Sequence, residues 1–485
     1  MPVPHEPCRA RRAAAGGRLA LLGCVLFAAL GGCRQAPPRP SIVLAVLDTM
    51  RADAVSAYGA VDGTTPTLDR LAREGLRYTN AYANANWTLP SHATLFTGLL
   101  PSQHRVQDGF AKLEADVPTV AELLSRAGYE TLGINENPWL TAKQGVTRGF
   151  EQFQAAGDMA AMVKQWRAKR SADRPFFLFV NIMDAHWPYR VRDSNPYLPA
   201  GVSIEQARLA ARDLESYRCN CAADDPSMQI LRGLYLGNVR AADAKLGAVL
   251  AALAPVETPL IVVVLSDHGE HLGEHGLVEH DVGIDRFVTH VPLVVHGLAN
   301  VSPAVIQAPV QLADLMPTIL GWAGVAVPPG LPGQPLPTAE PAPSGRAIVA
   351  EYHDYRDERF YAQFNDPVRE LLRKRWEHCT AADRADGDMR AVIRPPYELM
   401  WYEKYRVQLF DVQTDPSEAR DLAAAMPERV AELDAHLQRV LAAANPRAAP
   451  RAELDPAQVE RLRALGYLGG TGHEHEADAA PEQAR

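Results

Sequence analysis

Residues 262–276 read VVVLSDHGEHLGEHG, and this stretch decides the fold of the chain. The unbroken apolar run from Val262 to Leu265 predicts a buried strand, because a strand covered on both faces is apolar throughout. Asp267 and His268 follow almost at once, at the place where open α/β sheets bind ligands. A carboxylate beside an imidazole suits a divalent metal ion. The other interpretation is a strand that ends in a turn with surface histidines.

Two more apolar runs end in the same way. Residues 42–47 read IVLAVL and are followed by Asp48, and residues 176–182 read FFLFVNI and lead to His186. We expect both runs to lie beside the strand that precedes Asp267, in the centre of one sheet. Because the carboxyl ends of parallel strands meet at one edge, the three side chains should lie at the same edge.

The composition is that of an ordinary globular chain. It has 485 residues, of which 47% are hydrophobic and 22% charged, and its formal net charge is −9. The body of the chain contains no basic cluster, which argues against a nucleic-acid partner. The length fits a large α/β enzyme.

The N-terminus resembles a bacterial lipoprotein signal. Four arginines precede an apolar run, Leu19 to Leu30, that is short for a membrane span. The run ends in Leu30-Gly-Gly-Cys33, so Cys33 would become the lipidated first residue; an ordinary signal peptide or a poor single span is the alternative. Nothing acidic follows Cys33 to retain the protein at an inner membrane. We therefore expect a lipid-anchored protein of the bacterial cell envelope that faces the periplasm, at the outer membrane.

The rest of the chain divides by composition. A proline-rich segment at 328–343 marks a boundary, and residues beyond it alternate between strand and helix patterns. Residues 193–228 look like an insertion with its own helix. The predicted segments are a signal peptide (1–32), a tether (33–40), a catalytic domain (41–330), a C-terminal subdomain (345–468) and a disordered tail (469–485).

Three cysteines lie beyond the signal: Cys219, Cys221 and Cys379. Two of them could pair in an oxidising envelope. A bridge between Cys219 and Cys221 would be strained, so we expect Cys379 to pair with one of them.

With these strand ends in view, the chain resembles the sulfatase family of the alkaline phosphatase superfamily over residues 41–468. The matching motifs occur in family order. They include residues 42–53, Thr65-Pro-Thr-Leu-Asp69, Trp87-Thr-Leu-Pro-Ser-His92, Asn137-Pro-Trp-Leu140, Asp184-Ala-His186, residues 266–276, His290-Val-Pro292 and Asp314-Leu-Met-Pro-Thr318. The resemblance implies an α/β fold: a central mixed, mainly parallel sheet between helices, with a smaller C-terminal α+β subdomain.

The resemblance also implies a reaction centre. It assigns one divalent metal ion, which could be calcium, magnesium, manganese or zinc, to Asp48, Asp267 and His268. The nucleophile position, which also contacts the metal, falls on Thr88. Histidines that contact the anionic group of the substrate or protonate the leaving oxygen fall on His186 and His280.

One departure from the family frame bears on the substrate. Sulfatases that use formylglycine carry Cys or Ser, followed by x-Pro-x-Arg, where this chain has Thr88-Leu-Pro-Ser-His92. Oxidation of threonine would leave a ketone, so no formylglycine is expected. An aldehyde hydrate can expel sulfate by cleavage of its own C–O bond, whereas a threonine ester must be cleared by water at the central atom. Phosphorus esters are therefore favoured on mechanism.

Alternatives remain open at this point. The chain could be a sulfuric ester hydrolase proper, or a catalytically inactive ligand-binding lipoprotein. The substrate could be a small molecule or an ester of a glycan or lipid. His271, Glu274 and His275 could form a second metal site, although we favour a role in bracing the pocket.

Overall fold

The structure is a computed structural model that describes residues 38–61, 63–212, 224–256, 258–341, 345–354, 386–454 and 456–464. Within these residues the central sheet has eight strands: β1 (Ser41–Leu47), β2 (Leu76–Tyr78), β4 (Glu130–Asn135), β5 (Gln152–Ala155), β6 (Phe176–Ile182), β7 (Leu260–Leu265), β10 (Leu293–His296) and β11 (Ala304–Ile306). Their order across the sheet is β11-β2-β10-β7-β1-β6-β4-β5.

The sheet is mixed and mainly parallel, as predicted. Strand β1 pairs in parallel with β6 on one side and with β7 on the other. Strand β10 runs antiparallel to both of its neighbours, β7 and β2. The three predicted central strands are thus adjacent, and their carboxyl ends lie at one edge of the sheet.

Both faces of the sheet are covered, which explains the unbroken apolar runs. Along β1, Ile42, Leu44 and Val46 belong to one hydrophobic core, and the residues between them belong to the other. The helices are α1 (Pro66–Glu74), α2 (Thr88–Thr97), α3 (Pro101–His104), α4 (Val120–Arg126), α5 (Met159–Lys169), α6 (Ile204–Arg212), α7 (Pro226–Leu253), α8 (Arg286–Thr289), α9 (Leu315–Trp322), α10 (Pro427–Ala442) and α11 (Pro456–Ala464). Helices α2, α4 and α9 contribute to the first core, and α1, α5 and α7 to the second.

A second sheet, antiparallel throughout, forms the C-terminal part. Its strands are β13 (Ile348–Tyr352), β14 (Met389–Arg394), β15 (Tyr397–Tyr402) and β16 (Gln408–Asp411), in that order. Helix α10 packs on one face through Leu433 and Leu437. The remaining strands form two short pairs: β3 (Ala81–Tyr82) with β12 (Val310–Gln311), and β8 (His271–Leu272) with β9 (Val278–Glu279).

The predicted insertion at 193–228 contains a helix, as expected. This helix is α6, which the structure describes from Ile204 to Arg212. The chain divides into two units, Met1–Pro38 and Arg39–Arg485, and every element above lies in the second. Several predicted features lie outside the described residues: the signal peptide, the lipidation site at Cys33, the disulfide between later cysteines (Cys219, Cys221 and Cys379) and the disordered tail at 469–485. In the part that is described, no helix is both long and apolar enough to cross a membrane.

Candidate active site

Two carboxylates stand at the ends of neighbouring strands. Asp48 follows β1 and Asp267 lies just beyond β7, which pairs with β1 up to Val46 and Leu265. Between them Thr49 adopts a left-handed φ of 60°, which is unusual for a β-branched residue. Its amide donates to Asp267 Oδ1 at 3.3 Å and its carbonyl accepts from Tyr235. This turn therefore locks the two strand ends together.

Asp48 uses only one of its carboxylate oxygens for hydrogen bonds. Oδ2 accepts from Nδ2 of Asn181 at 3.0 Å and from Nδ2 of Asn137 at 2.9 Å. Oδ1 is buried and accepts none. A buried carboxylate oxygen without a donor is costly unless a cation faces it.

Asp267 shows the same division. Its Oδ1 accepts from the backbone amides of Thr49 at 3.3 Å and His268 at 3.1 Å, while Oδ2 is buried and accepts no hydrogen bond. Each carboxylate thus keeps one oxygen for the framework and presents the other to the space between them.

His268 completes this group with a nitrogen lone pair. Nδ1 lies 2.9 Å from the carbonyl oxygen of Gly269 and donates to it, so Nε2 of the neutral ring carries the lone pair. Nε2 lies 3.3 Å from Asp267 Oδ2 and 3.8 Å from Asp48 Oδ1. Three electron-pair donors within 4.8 Å of one another repel unless a cation lies between them. The three side chains assigned to a metal ion therefore fit one.

The electrostatics of the group agree with this assignment. Burial, together with the neighbouring Asp48 carboxylate, raises the pKa of Asp267 well above its ordinary value. Burial alone would raise the pKa of Asp48 as well, but the charge of His186 and the hydrogen bond from Asn181 hold it below its ordinary value. Burial also lowers the pKa of His268 well below its usual range, which keeps the ring neutral as a metal ligand must be.

Thr88 lies beside this group at the amino end of α2. It is the first residue of the helix. Its hydroxyl is fully buried, accepts from Nδ2 of Asn137 at 3.0 Å and lies 3.5 Å from His268 Nε2. The amides of the first turn and the positive end of the helix dipole point toward the same region, and both favour a bound anion.

His92 stands where the family frame carries arginine. Its Nδ1 donates to the carbonyl of Thr88 at 2.9 Å and lies 3.4 Å from Asp267 Oδ2. Burial lowers the pKa of His92 to about 4, so the ring is neutral near pH 7. The departure from the frame therefore replaces a permanent positive charge with a neutral side chain that braces Thr88.

His186 and His280, the two predicted proton donors, lie next to each other, and His280 also lies next to His268. The ring centroid of His280 is 4.4 Å from that of His268 and 5.0 Å from that of His186. Nδ1 of His280 lies 3.0 Å from Oε1 of Glu270, and burial raises the pKa of Glu270 to about 8. Glu270 is therefore the hydrogen-bond partner that orients the His280 ring.

Glu274 braces the loop after β7, as favoured above. It accepts from Arg51 at 2.9 Å and from Arg232 at 2.7 Å, and Arg51 also donates to the carbonyl of Glu270. His271 pairs instead with Asp285 at 2.9 Å. Glu274, His271 and His275 thus do not form the second metal site that was considered.

Four residues of this site had no role predicted from the sequence: His92, Asn137, Asn181 and Glu270. The sequence contained a signal for Asn181, because this residue is the only polar one in the buried run of β6. Asn137 lies in a family motif but is far from the strand ends along the chain. Only the fold shows that both amides bind the same carboxylate oxygen.

Comparisons with known proteins agree with this architecture. A family model described as Sulfatase matches residues 40–325. Arylsulfatase K of Xenopus laevis is 23% identical over 470 residues, which cover 83% of either chain. The Delta 4,5-hexuronate-2-O-sulfatase of Bacteroides thetaiotaomicron is 23% identical over 454 residues, 82% of this chain and 87% of its own.

Solved structures show the same fold. A 2-O GAG sulfatase superposes with a TM-score of 0.64 at 20% identity and covers 87% of this chain and 96% of its own. The phosphonate monoester hydrolase of Agrobacterium radiobacter gives a TM-score of 0.65 at 19% identity over 83% of this chain and 96% of its own. Since the family model spans more than half of its residues, the chain belongs to the sulfatase family of ester hydrolases.

Proposed function

We propose that the protein is a metal-dependent esterase in which unmodified Thr88 is the nucleophile and phosphorus esters are the preferred substrates. The observation that carries this proposal is the position of the Thr88 hydroxyl. It is buried, held by Asn137 at 3.0 Å and adjacent to Asp48, Asp267 and His268. Family members use a divalent metal ion, and these three side chains would hold it.

The cation would stabilise negative charge on the oxygens of the reaction, as a Lewis acid does. The side chains have separate tasks. Asn137 fixes the Thr88 oxygen in place, and the amino end of α2 offers amide donors to the transferred group. His92, through its bond to the Thr88 carbonyl, fixes the backbone at the start of the helix.

In the proposed reaction Thr88 loses its hydroxyl proton to water and its oxygen bonds to phosphorus. The bond from phosphorus to the leaving oxygen breaks, and protonated His186 or His280 transfers a proton to that oxygen. Water then attacks the phosphothreonine at phosphorus, which restores Thr88 and releases the phosphoryl group. An alcohol in place of water gives transfer instead of hydrolysis. A proton donor in this position contributes about 10²- to 10⁴-fold to the rate.

The preference for phosphorus rests on how the intermediate is cleared. Threonine has one hydroxyl, so it lacks the second oxygen through which an aldehyde hydrate expels sulfate. The Agrobacterium neighbour is named a phosphonate monoester hydrolase, so a solved structure of this fold carries that name. Hydrolysis of sulfuric esters is the second candidate, because the two curated relatives above are named sulfatases. An inactive ligand-binding lipoprotein is a weaker one, since the whole set of site side chains is present.

The experiment is a substrate screen on wild type, Thr88→Ala and Thr88→Ser, with aryl phosphates, phosphodiesters, phosphonates and sulfates. Thr88→Ala should abolish turnover and keep the fold, and Thr88→Ser should retain part of the activity because it keeps the hydroxyl. Thr94→Ala is the matched control, because Thr94 is buried in the same helix but bonds to His104. Turnover by Thr88→Ala would refute the assignment of Thr88 as the nucleophile. A mass of the intact wild-type protein that shows oxidation at residue 88 would refute it as well.

The location of the protein is part of the proposal. We infer that Cys33 carries lipid and holds the enzyme on the periplasmic side of a bacterial envelope membrane, with the outer membrane favoured. The support is the Leu30-Gly-Gly-Cys33 motif after an apolar run. An anchored enzyme of this kind would meet small-molecule esters, or esters of glycans and lipids, in the periplasm.

A further inference from the structure

A second group of acidic and imidazole side chains lies where the loop after β7 meets the C-terminal sheet. His275 belongs to that loop, Asp285 precedes α8, and Glu418 follows β16. One ligand atom from each lies within 4.8 Å of the others. Asp285 and Glu418 are buried, and the side chain of His275 is 12% exposed, which gives an ion a way in.

Glu398 of β15 is the observation that points to a ligand. Its side chain is fully buried, and neither of its carboxylate oxygens accepts a hydrogen bond. It lies within electrostatic range of Glu418 and Asp285. A carboxylate with two orphaned oxygens is among the most costly groups to bury, unless it is protonated or faces a cation.

The neighbouring protein cations compensate this acidic group only in part. Nδ1 of His271 donates to the Glu279 carbonyl at 3.0 Å, and Nε2 lies 2.9 Å from Asp285, so both nitrogens donate and the ring is positively charged. That charge is matched by Asp285. The Arg286 guanidinium lies within electrostatic range of Glu398, but its hydrogen bonds go to the Pro416 carbonyl and to His290.

Two buried carboxylates, Glu398 and Glu418, therefore share the charge of one guanidinium that donates a hydrogen bond to neither. Glu418 Oε1 accepts from the Arg286 amide at 3.2 Å, and Oε2 lies 3.3 Å from His275 Nε2. The His275 contact is long for a hydrogen bond between these groups and leaves the acidic excess in place.

We propose that His275, Asp285 and Glu418 form a second divalent cation site, with Glu398 as an additional carboxylate facing the ion. One imidazole with several carboxylates suits Mn²⁺ or Zn²⁺, because imidazole favours zinc and carboxylate oxygen favours manganese. The ion would join the loop after β7 to the C-terminal sheet. It is separate from the single ion assigned to the reaction centre and does not depend on the proposed reaction.

The test is the number of ions bound per chain. Chelated full-length protein is titrated with Mn²⁺ and, separately, with Zn²⁺, and the bound metal is counted after gel filtration. Wild type should bind two ions. His275→Asn and Glu418→Gln should each bind one ion, at the reaction centre. Asp267→Asn should bind one ion at the second site, and this ion should still raise the melting temperature.

Two further variants keep the test decisive. Glu398→Gln should weaken the second ion about tenfold, because it removes a charge without changing shape. If Glu398 is merely protonated, this variant leaves ion binding unchanged, and the proposal fails. Exposed Glu428→Gln is the control and should bind two ions. One ion per wild-type chain, or two ions in both His275→Asn and Glu418→Gln, would also overturn the proposal.

Discussion

Thr88 and Asp48 accept hydrogen bonds from the same nitrogen: Nδ2 of Asn137 lies 3.0 Å from Thr88 Oγ1 and 2.9 Å from Asp48 Oδ2. The orientation of this amide is fixed, because Asn137 Oδ1 accepts from the backbone amide of Trp139 at 3.0 Å. One side chain therefore sets the distance between the proposed nucleophile and a proposed metal ligand.

Asn137→Asp should lower kcat by about 10²-fold, because one positioned donor at a reaction centre contributes roughly that much. The substitution keeps the size of the side chain but replaces the donor with an acceptor that repels Asp48. KM should change much less than kcat, since the role is positioning and not substrate binding. Exposed Asn300→Asp is the control. Wild-type kcat in Asn137→Asp would show that the shared donor is irrelevant to the reaction.

Asp267→Asn should have opposite effects on the protein with and without metal. Without metal, Asp48 and Asp267 are two buried like charges, and burial already raises the pKa of Asp267. The neutral amide should therefore raise the melting temperature of the chelated protein by a few degrees. Metal affinity should fall by more than about 100-fold, and activity should be lost with it. Calorimetry with and without metal measures the melting temperature and the metal affinity. Asp48→Ala should also lose metal and activity. Unchanged metal content in both variants would refute the ligand assignment.

The His353–Asp388 pair should make stability depend on pH. The hydrogen bond to Asp388 raises the pKa of His353, and His353 holds the pKa of Asp388 below its ordinary value against the effect of burial. The contribution of His353 to the free energy of unfolding is complete below the pKa of about 6.5 that it has in the unfolded chain. This contribution is lost as pH rises through the raised pKa of the folded state. The contribution of Asp388 to the free energy of unfolding is complete above the unfolded-state pKa of about 3.9, and it is lost as pH falls through the lowered pKa of the folded state.

His353→Gln should therefore destabilise the protein most between about pH 4 and 6.5, by less than about 1 kcal/mol because the pair is partly exposed. The difference in melting temperature from wild type should shrink as pH rises toward 9. A difference that grows with pH would contradict this reasoning.

Cys33→Ser should release the protein from the membrane fraction. The thioether that carries the lipid requires the sulfur of Cys33, and serine cannot replace it. Globomycin should block processing of the wild type and leave the variant unaffected. Wild-type protein that is soluble and carries no lipid would exclude the anchor.

The sequence predicted those parts of the fold that local pattern determines. Apolar runs identified β1, β6 and β7, and the polar residues after them identified Asp48 and Asp267 as neighbours. Their adjacency follows from the parallel arrangement, which such buried runs favour. The C-terminal strands β14 and β15 were not predicted, because the sequence showed only a general alternation there.

Contacts between distant segments could not be predicted. Asn137 reaches Asp48 across 89 positions of the chain, and Glu418 reaches His275 across 143. Residues of these types occur all along the chain, and only tertiary packing distinguishes the ones that meet. The main metal ligands of the site could therefore be predicted from the sequence, but the side chains that hold these ligands in place could not.

The most direct test of the central claim compares kcat/KM for a phosphorus ester and a sulfate ester with the same aryl leaving group. Both are measured with metal-loaded wild-type enzyme whose residue 88 is verified as unmodified threonine by peptide mass. The account predicts a higher kcat/KM for the phosphorus ester, and loss of that activity in Thr88→Ala. A higher kcat/KM for the sulfate ester than for every phosphorus ester tested would contradict it.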